Sequence, residues 1–176
     1  MTAEGAGTRD GTDWKNAFDA KAISRVVNET IAPGDRLLLA GGVYPNVTLS
    51  IVAGGNPGKP KLIEGVDLGA GLPVFATKWS VDAPTRGPAV IVLGPGVSHV
   101  TVRGLRIRGA HFGVRAPEER EGATRSHLVF EDVDMEQIRL GFYLRDCDDL
   151  VLRDCDLKRY SKHGFRLDYG CGRVLM

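Results

Sequence analysis

Apolar and polar residues alternate in short runs through the second half of the chain, and the runs recur in register. Residues 98–107 (SHVTVRGLRI) line up with 126–135 (SHLVFEDVDM) and 148–157 (DDLVLRDCDL), at offsets of 28 and 22 residues. A fourth start, 172–176 (GRVLM), follows 24 residues after the third. A second anchor recurs in the same order within each unit: 113–116 (GVRA), 141–144 (GFYL) and 164–167 (GFRL). Alternation over so few residues predicts strands, three to a unit, with a bend near Gly104. Three short strands cannot bury their apolar side alone, so the units must stack. Stacking predicts five inward columns: Val100/Leu128/Leu150/Val174, Val102/Phe130/Leu152/Met176, Leu105/Val133/Cys155, Ile107/Met135/Leu157 and Val114/Phe142/Phe165. Two outward columns follow from the same register. Arg103/Glu131/Arg153 alternates in charge, and Arg115/Tyr143/Arg166 places a ring between two guanidinium groups.

The first hundred residues read differently. Trp14, Phe18, Ala22 and Val26 recur every fourth residue beside Ile23 and Val27, which predicts an amphipathic helix over 14–29. Asp13 caps it and Pro33-Gly34 stops it. Such a helix can close the open apolar end of a strand stack. Strands are predicted at 36–40, 47–52, 61–64 and 89–93, and the Gly- and Pro-rich stretch 69–88 reads as an inserted loop. The whole chain, 1–176, reads as one all-β domain: a right-handed parallel β-helix, or solenoid, of coils from residue 33 onward behind a capping α-helix.

Composition narrows the function classes. The 176 residues carry 23 Lys plus Arg against 22 Asp plus Glu, a net charge of +1. That balance argues against a nucleic-acid partner. No apolar run approaches the ~20 residues that span a bilayer, so no membrane partner is expected. The start, 1–7 (MTAEGAG), has neither the basic nor the apolar region of a signal peptide. Three cysteines without CxxC spacing fit neither a zinc ribbon nor a disulfide scaffold. Cys155 falls in an inward column as a small buried hydrophobe. Cys147 and Cys171 occupy equivalent places on successive units, and their pairing cannot be read from sequence.

A family resemblance rests on particular residues. Residues 7–14 (GTRDGTDW) followed by 33–44 (PGDRLLLAGGVY) resemble the N-terminal cap and first coil of pectate-lyase-like right-handed parallel β-helix proteins. Residues 56–65 (NPGKPKLIEG) are similar to the second coil of the alginate lyase and chondroitin lyase group. The resemblance covers essentially the whole chain and carries the fold more than the reaction. It implies action on, or binding of, acidic uronic-acid polysaccharide in an extracellular or periplasmic setting. A lyase of this kind needs a cation on the uronate carboxylate, a base for the C5 proton and a donor to the leaving oxygen.

The densest candidate seat for a polyanion is Lys158-Arg159-Tyr160-Ser161-Lys162-His163 with Arg166 on the following strand. Lys162, His163 and Arg166 are the candidate catalytic groups. Lys158, Arg159, Tyr160, Tyr143 and Arg115 are the candidate substrate contacts. Asp134 over Asp156, like Asp132 over Asp154, stacks like charges that need a cation between them. A Ca²⁺ bridging Asp134 and Asp156 would supply it, as would Arg106 without metal. A polygalacturonase-type hydrolase fits poorly, because Lys162 stands where its Gly-His-Gly needs a first glycine. The alternative to an enzyme is a non-catalytic carbohydrate-binding or surface-structural module on the same scaffold. The matched coil broken off at residue 176 predicts an inactive N-terminal part of a longer β-helix, with self-association through its open C-terminal coil.

Overall fold

A computed structural model describes residues 1–117 and 123–176. Eleven strands follow a short helical segment: β1 (Arg36–Ala40), β2 (Gly42–Pro45), β3 (Leu49–Ile51), β4 (Lys61–Val66), β5 (Pro73–Ala76), β6 (Ala89–Leu93), β7 (Ser98–Arg115), β8 (Arg125–Arg145), β9 (Cys147–Arg153), β10 (Leu157–Asp168) and β11 (Val174–Leu175). Every pairing between these strands is parallel. The pairings form three lines. The first runs β1-β4-β7-β8-β9-β11. The second joins β2 and β5 to the middle of β7, and through β8 to the start of β10. The third joins β3 and β6 to the end of β7, and through β8 to the end of β10. The long strands β7 and β8 each run through all three lines, so each contributes a segment to every one.

The inward columns match the sequence register where strands exist to carry them. Leu37, Ile63, Val102, Phe130 and Leu152 form one. Tyr44, Phe75, Ile107, Met135 and Leu157 form the second. Leu49, Ile91, Val114, Phe142 and Phe165 form the third. Val174 pairs with Leu150 as expected, but Met176 lies beyond β11 and is exposed. Leu105 pairs with Val133, whereas Cys155 lies between strands, half-buried against the core. All three thiols are free, and Cys147 is buried, with its thiol pushed up to about 12 by burial first.

The corners have their own columns. Gly104, Asp132 and Asp154 turn the chain at φ +67°, +51° and +51°, and Gly109, Gln137 and Arg159 do so at +66°, +54° and +50°. A third set, His99, His127 and Asp149, lies at +54°, +53° and +50°. Left-handed backbone is cheapest for Gly and tolerable for Asn, Asp and His, which explains most of these choices. The His99 and His127 rings stack at 4.3 Å, and His127 Nε2 lies 3.4 Å from Asp149.

Two expectations for the first hundred residues need correction. The helix over 14–29 is broken. Trp14–Asn16 is a single 3₁₀ turn capped by Asp13, Ala17 is extended, and Asp19 caps a second segment that runs from Ala20 to Thr30. The break lets the Ala17 and Phe18 carbonyls accept from the N–H groups of Ala6 and Thr2. Ala17 is thereby buried while Trp14 is left 36% exposed. The supposed loop 69–88 contains β5, whose Phe75 stacks on Tyr44 at 5.1 Å within the second column. The fourth-residue period and the Gly/Pro content were real, but two caps and one core phenylalanine overrode them.

Candidate functional site

The basic run after Leu157 does not form one site. The alternating backbone of β10, interrupted by a register shift between Tyr160 and His163, distributes it over two faces. Lys158 belongs to the outer face of the second line, where it follows Arg108 and Glu136 in register. Arg159 takes the αL corner and is exposed. Tyr160 falls in register with buried Ile138 and His163 with buried Leu140, yet on this last strand both are exposed. Lys162 is exposed at the register shift. Arg166 lies on the outer face of the third line, in register with Tyr143.

The second-line face is a ladder of ion pairs around a depression of about 180 Å³. Arg106 lies 3.0 Å from Asp132 and 3.2 Å from Asp134, and Arg108 lies 3.5 Å from Glu136. Lys158 lies 2.5 Å from Asp156, whose N–H donates to Asp134 at 3.3 Å. Asp134 and Asp156 are therefore each held by a cation of the chain. Calcium takes six to eight oxygens, and this pair, already engaged by Arg106 and Lys158, does not fit it. Among the described residues no group of three or more His, Cys, Asp or Glu side chains is placed to hold a metal.

The third-line face is different in kind. The Tyr143 ring has the Arg145 and Arg166 guanidinium groups each 5.2 Å from its centre. Arg115, in register beside Tyr143, places its guanidinium over Phe112 at 5.0 Å instead, and Phe112 stacks on Tyr143 at 5.7 Å. The outward column thus holds as register, while the cation over Tyr143 from the next strand position is Arg145. Asp168 is the local carboxylate. Arg166 holds it at 3.0 Å and Arg145 at 3.3 Å, so its carboxyl lies below the usual range, chiefly through the Arg166 hydrogen bond. Arg115 has no carboxylate partner among the described residues, and its Nε is buried without a hydrogen bond. The face thus sets flat aromatic rings among guanidinium planes.

Beside this face, at the corner between the second and third lines, residues 77–88 fold back onto β7. Trp79 is buried there, donating Nε1 to the Thr85 carbonyl, with its ring 6.1 Å from that of His111. His111 is 6% exposed. Sequence pattern passed over both, because neither belongs to a repeat column and their contact joins distant stretches. Arg125 was missed for the same reason. It is fully buried and donates to the carbonyls of Leu93, Pro117 and Arg145, one from each of three passes.

No protein-family model matches the chain, and no curated protein matches it. Among solved structures, an alginate lyase from Paenibacillus sp. strain FPU-7 is similar in fold, with a TM-score of 0.58 and 17% sequence identity. The likeness covers 77% of this chain and 41% of the lyase, so the chain spans about two fifths of its length. At that identity the likeness is one of fold: a largely parallel β architecture of the kind polysaccharide lyases use.

Proposed function

We propose that the chain is a right-handed parallel β-helix that binds acidic, uronic-acid polysaccharide along the outer face of its third strand line. The observation that carries this reading is the Tyr143 ring with the Arg145 and Arg166 guanidinium groups against it, and with Phe112 and Arg115 continuing the pattern one pass earlier. An extended glycan laid across successive passes meets a ring and a cation at each strand spacing of about 4.8 Å. Uronate carboxylates pair with guanidinium groups bidentately, and the sugar faces rest on the rings. The fold shared with an alginate lyase supports the same substrate class, and the reading carries with it an extracellular or periplasmic setting.

Binding stands ahead of cleavage in this reading. Of the candidates, Lys162 and His163 lie at the register shift of β10, and Arg166, in register with Tyr143, is held by Asp168. A screen of alginate, pectate and chondroitin tests both halves of the reading. Binding should weaken as salt rises, because the contacts are charged and partly exposed. Ultraviolet absorbance from an unsaturated uronate product would assign a lyase. Salt-sensitive binding without product assigns a binding module. No binding of any of the three polymers would overturn the proposal.

A further inference from the structure

We propose that Arg139, Arg115 and Arg86, gathered round His111 at the corner between the second and third lines, form a binding site for a carboxylate borne on a sugar. The inference rests on the acidic-polysaccharide reading and gives the carboxylate a place.

Three strands of geometry meet at His111. Arg139, from β8, brings Nη1 to 3.3 Å from Nε2. Nδ1 lies 3.1 Å from the Thr85 carbonyl, and the Gly87 N–H donates to it at 3.1 Å. Arg86 sits in the chain between those two residues and is exposed. Arg115 lies over Phe112, whose ring centre is 4.5 Å from that of His111. None of Arg86, Arg115 and Arg139 has a carboxylate partner among the described residues. Several arginines elsewhere on the outer faces are paired: Arg103 with Glu64, Arg106 with Asp132 and Asp134, Arg153 with Glu131, Arg173 with Asp148 and Asp149. Three guanidinium groups near one imidazole, none with a carboxylate partner among the described residues, give the corner a positive potential that favours an anion.

The electrostatics agree with the geometry. Burial holds the His111 imidazole below the ordinary histidine range, and the charges of Arg139, Arg115 and Arg86 lower it further against the Thr85 hydrogen bond. A carboxylate seated on the arginines cancels their effect and raises that value. By linkage, affinity for the anion must then strengthen as pH falls through the range where His111 gains its proton. Trp79 and Phe112 flank the His111 ring, Trp79 from the buried side.

The test follows the His111 imidazole by NMR in the full chain while an oligo-uronate, or a neutral galactose oligomer of equal length, is added. The expected result is a shift of the His111 signals and a raised titration midpoint with the uronate alone. Arg139→Gln should abolish the shift and weaken uronate binding about tenfold or more, while Arg139→Lys retains part of it. Arg86→Gln, on an exposed segment and without consequence for the core, should weaken binding in the same direction. If the protein binds alginate but His111 does not respond and both glutamine variants bind as before, the corner site is wrong and the wider reading survives. If none of alginate, pectate and chondroitin is bound yet the uronate shifts His111, the corner site stands and the polysaccharide reading falls.

Discussion

Phe130 shows how much a single side chain carries in this architecture. It is buried between Val102 and Leu152 in its column and meets Phe142 edge-on at 5.3 Å from the third line. Phe130→Ala leaves a cavity between packed passes that the rigid strands cannot close. It should cost about 3–5 kcal/mol in denaturant unfolding. Asp168 makes a pH-dependent contribution of definite sign. Its folded carboxyl is held below the ordinary value, chiefly by Arg166. The pairing therefore stabilises the fold above the unfolded value of about 4 and is lost as pH falls below it. Asp168→Asn should flatten the fall in thermal midpoint below about pH 4, and an unchanged acid limb would mean the pair contributes nothing. Phe130 was legible in the sequence because its neighbours recur at fixed offsets. His111, Trp79 and Arg125 were not, because each finds its partners outside any repeat.

At the level of elements, the chain divides by how closely its passes resemble one another. β7, β8, β9 and β10 follow the repeated pattern, and every predicted register pair that both strands contain is observed. The first two passes carry long insertions, so β2 and β5 hide between glycines and prolines and only their partners reveal them. The helical segment departs from its period because Asp13 and Asp19 both cap, which divides one expected helix into two short pieces. Residues 77–88 have no strand of their own, yet Trp79 ties them to the corner. Trp79→Ala should remove the anchor of that segment without disturbing the stacked columns. Hydrogen exchange should then quicken over 77–88 and at His111 while β7 and β8 remain protected. Equal loss of protection in β8 would show that the segment belongs to the core.

Over the whole molecule, three parallel lines of strands leave three outer faces, and these differ in charge economy. The first and second are laced by alternating ion pairs that fix register and are individually worth about 0.2–1 kcal/mol. The third sets aromatic rings among arginines, and Arg115 there has no carboxylate among the described residues. The sequence showed the ring-and-arginine column through Arg115, Tyr143 and Arg166, but it also promised a compact basic seat that the alternation of β10 takes apart. Which face has cations to spare is a property of all the passes together, hence the need for a structure. The central claim, that this face binds acidic polysaccharide, is tested most directly by native electrophoresis through gels containing alginate, pectate, chondroitin or a neutral polymer. The full chain should be retarded by at least one acidic polymer and not by the neutral one, and a double variant, Arg115→Ala with Tyr143→Ala, should migrate as it does without polymer. Equal mobility of the unaltered chain with and without each acidic polymer, or equal retardation of the double variant, would contradict the account.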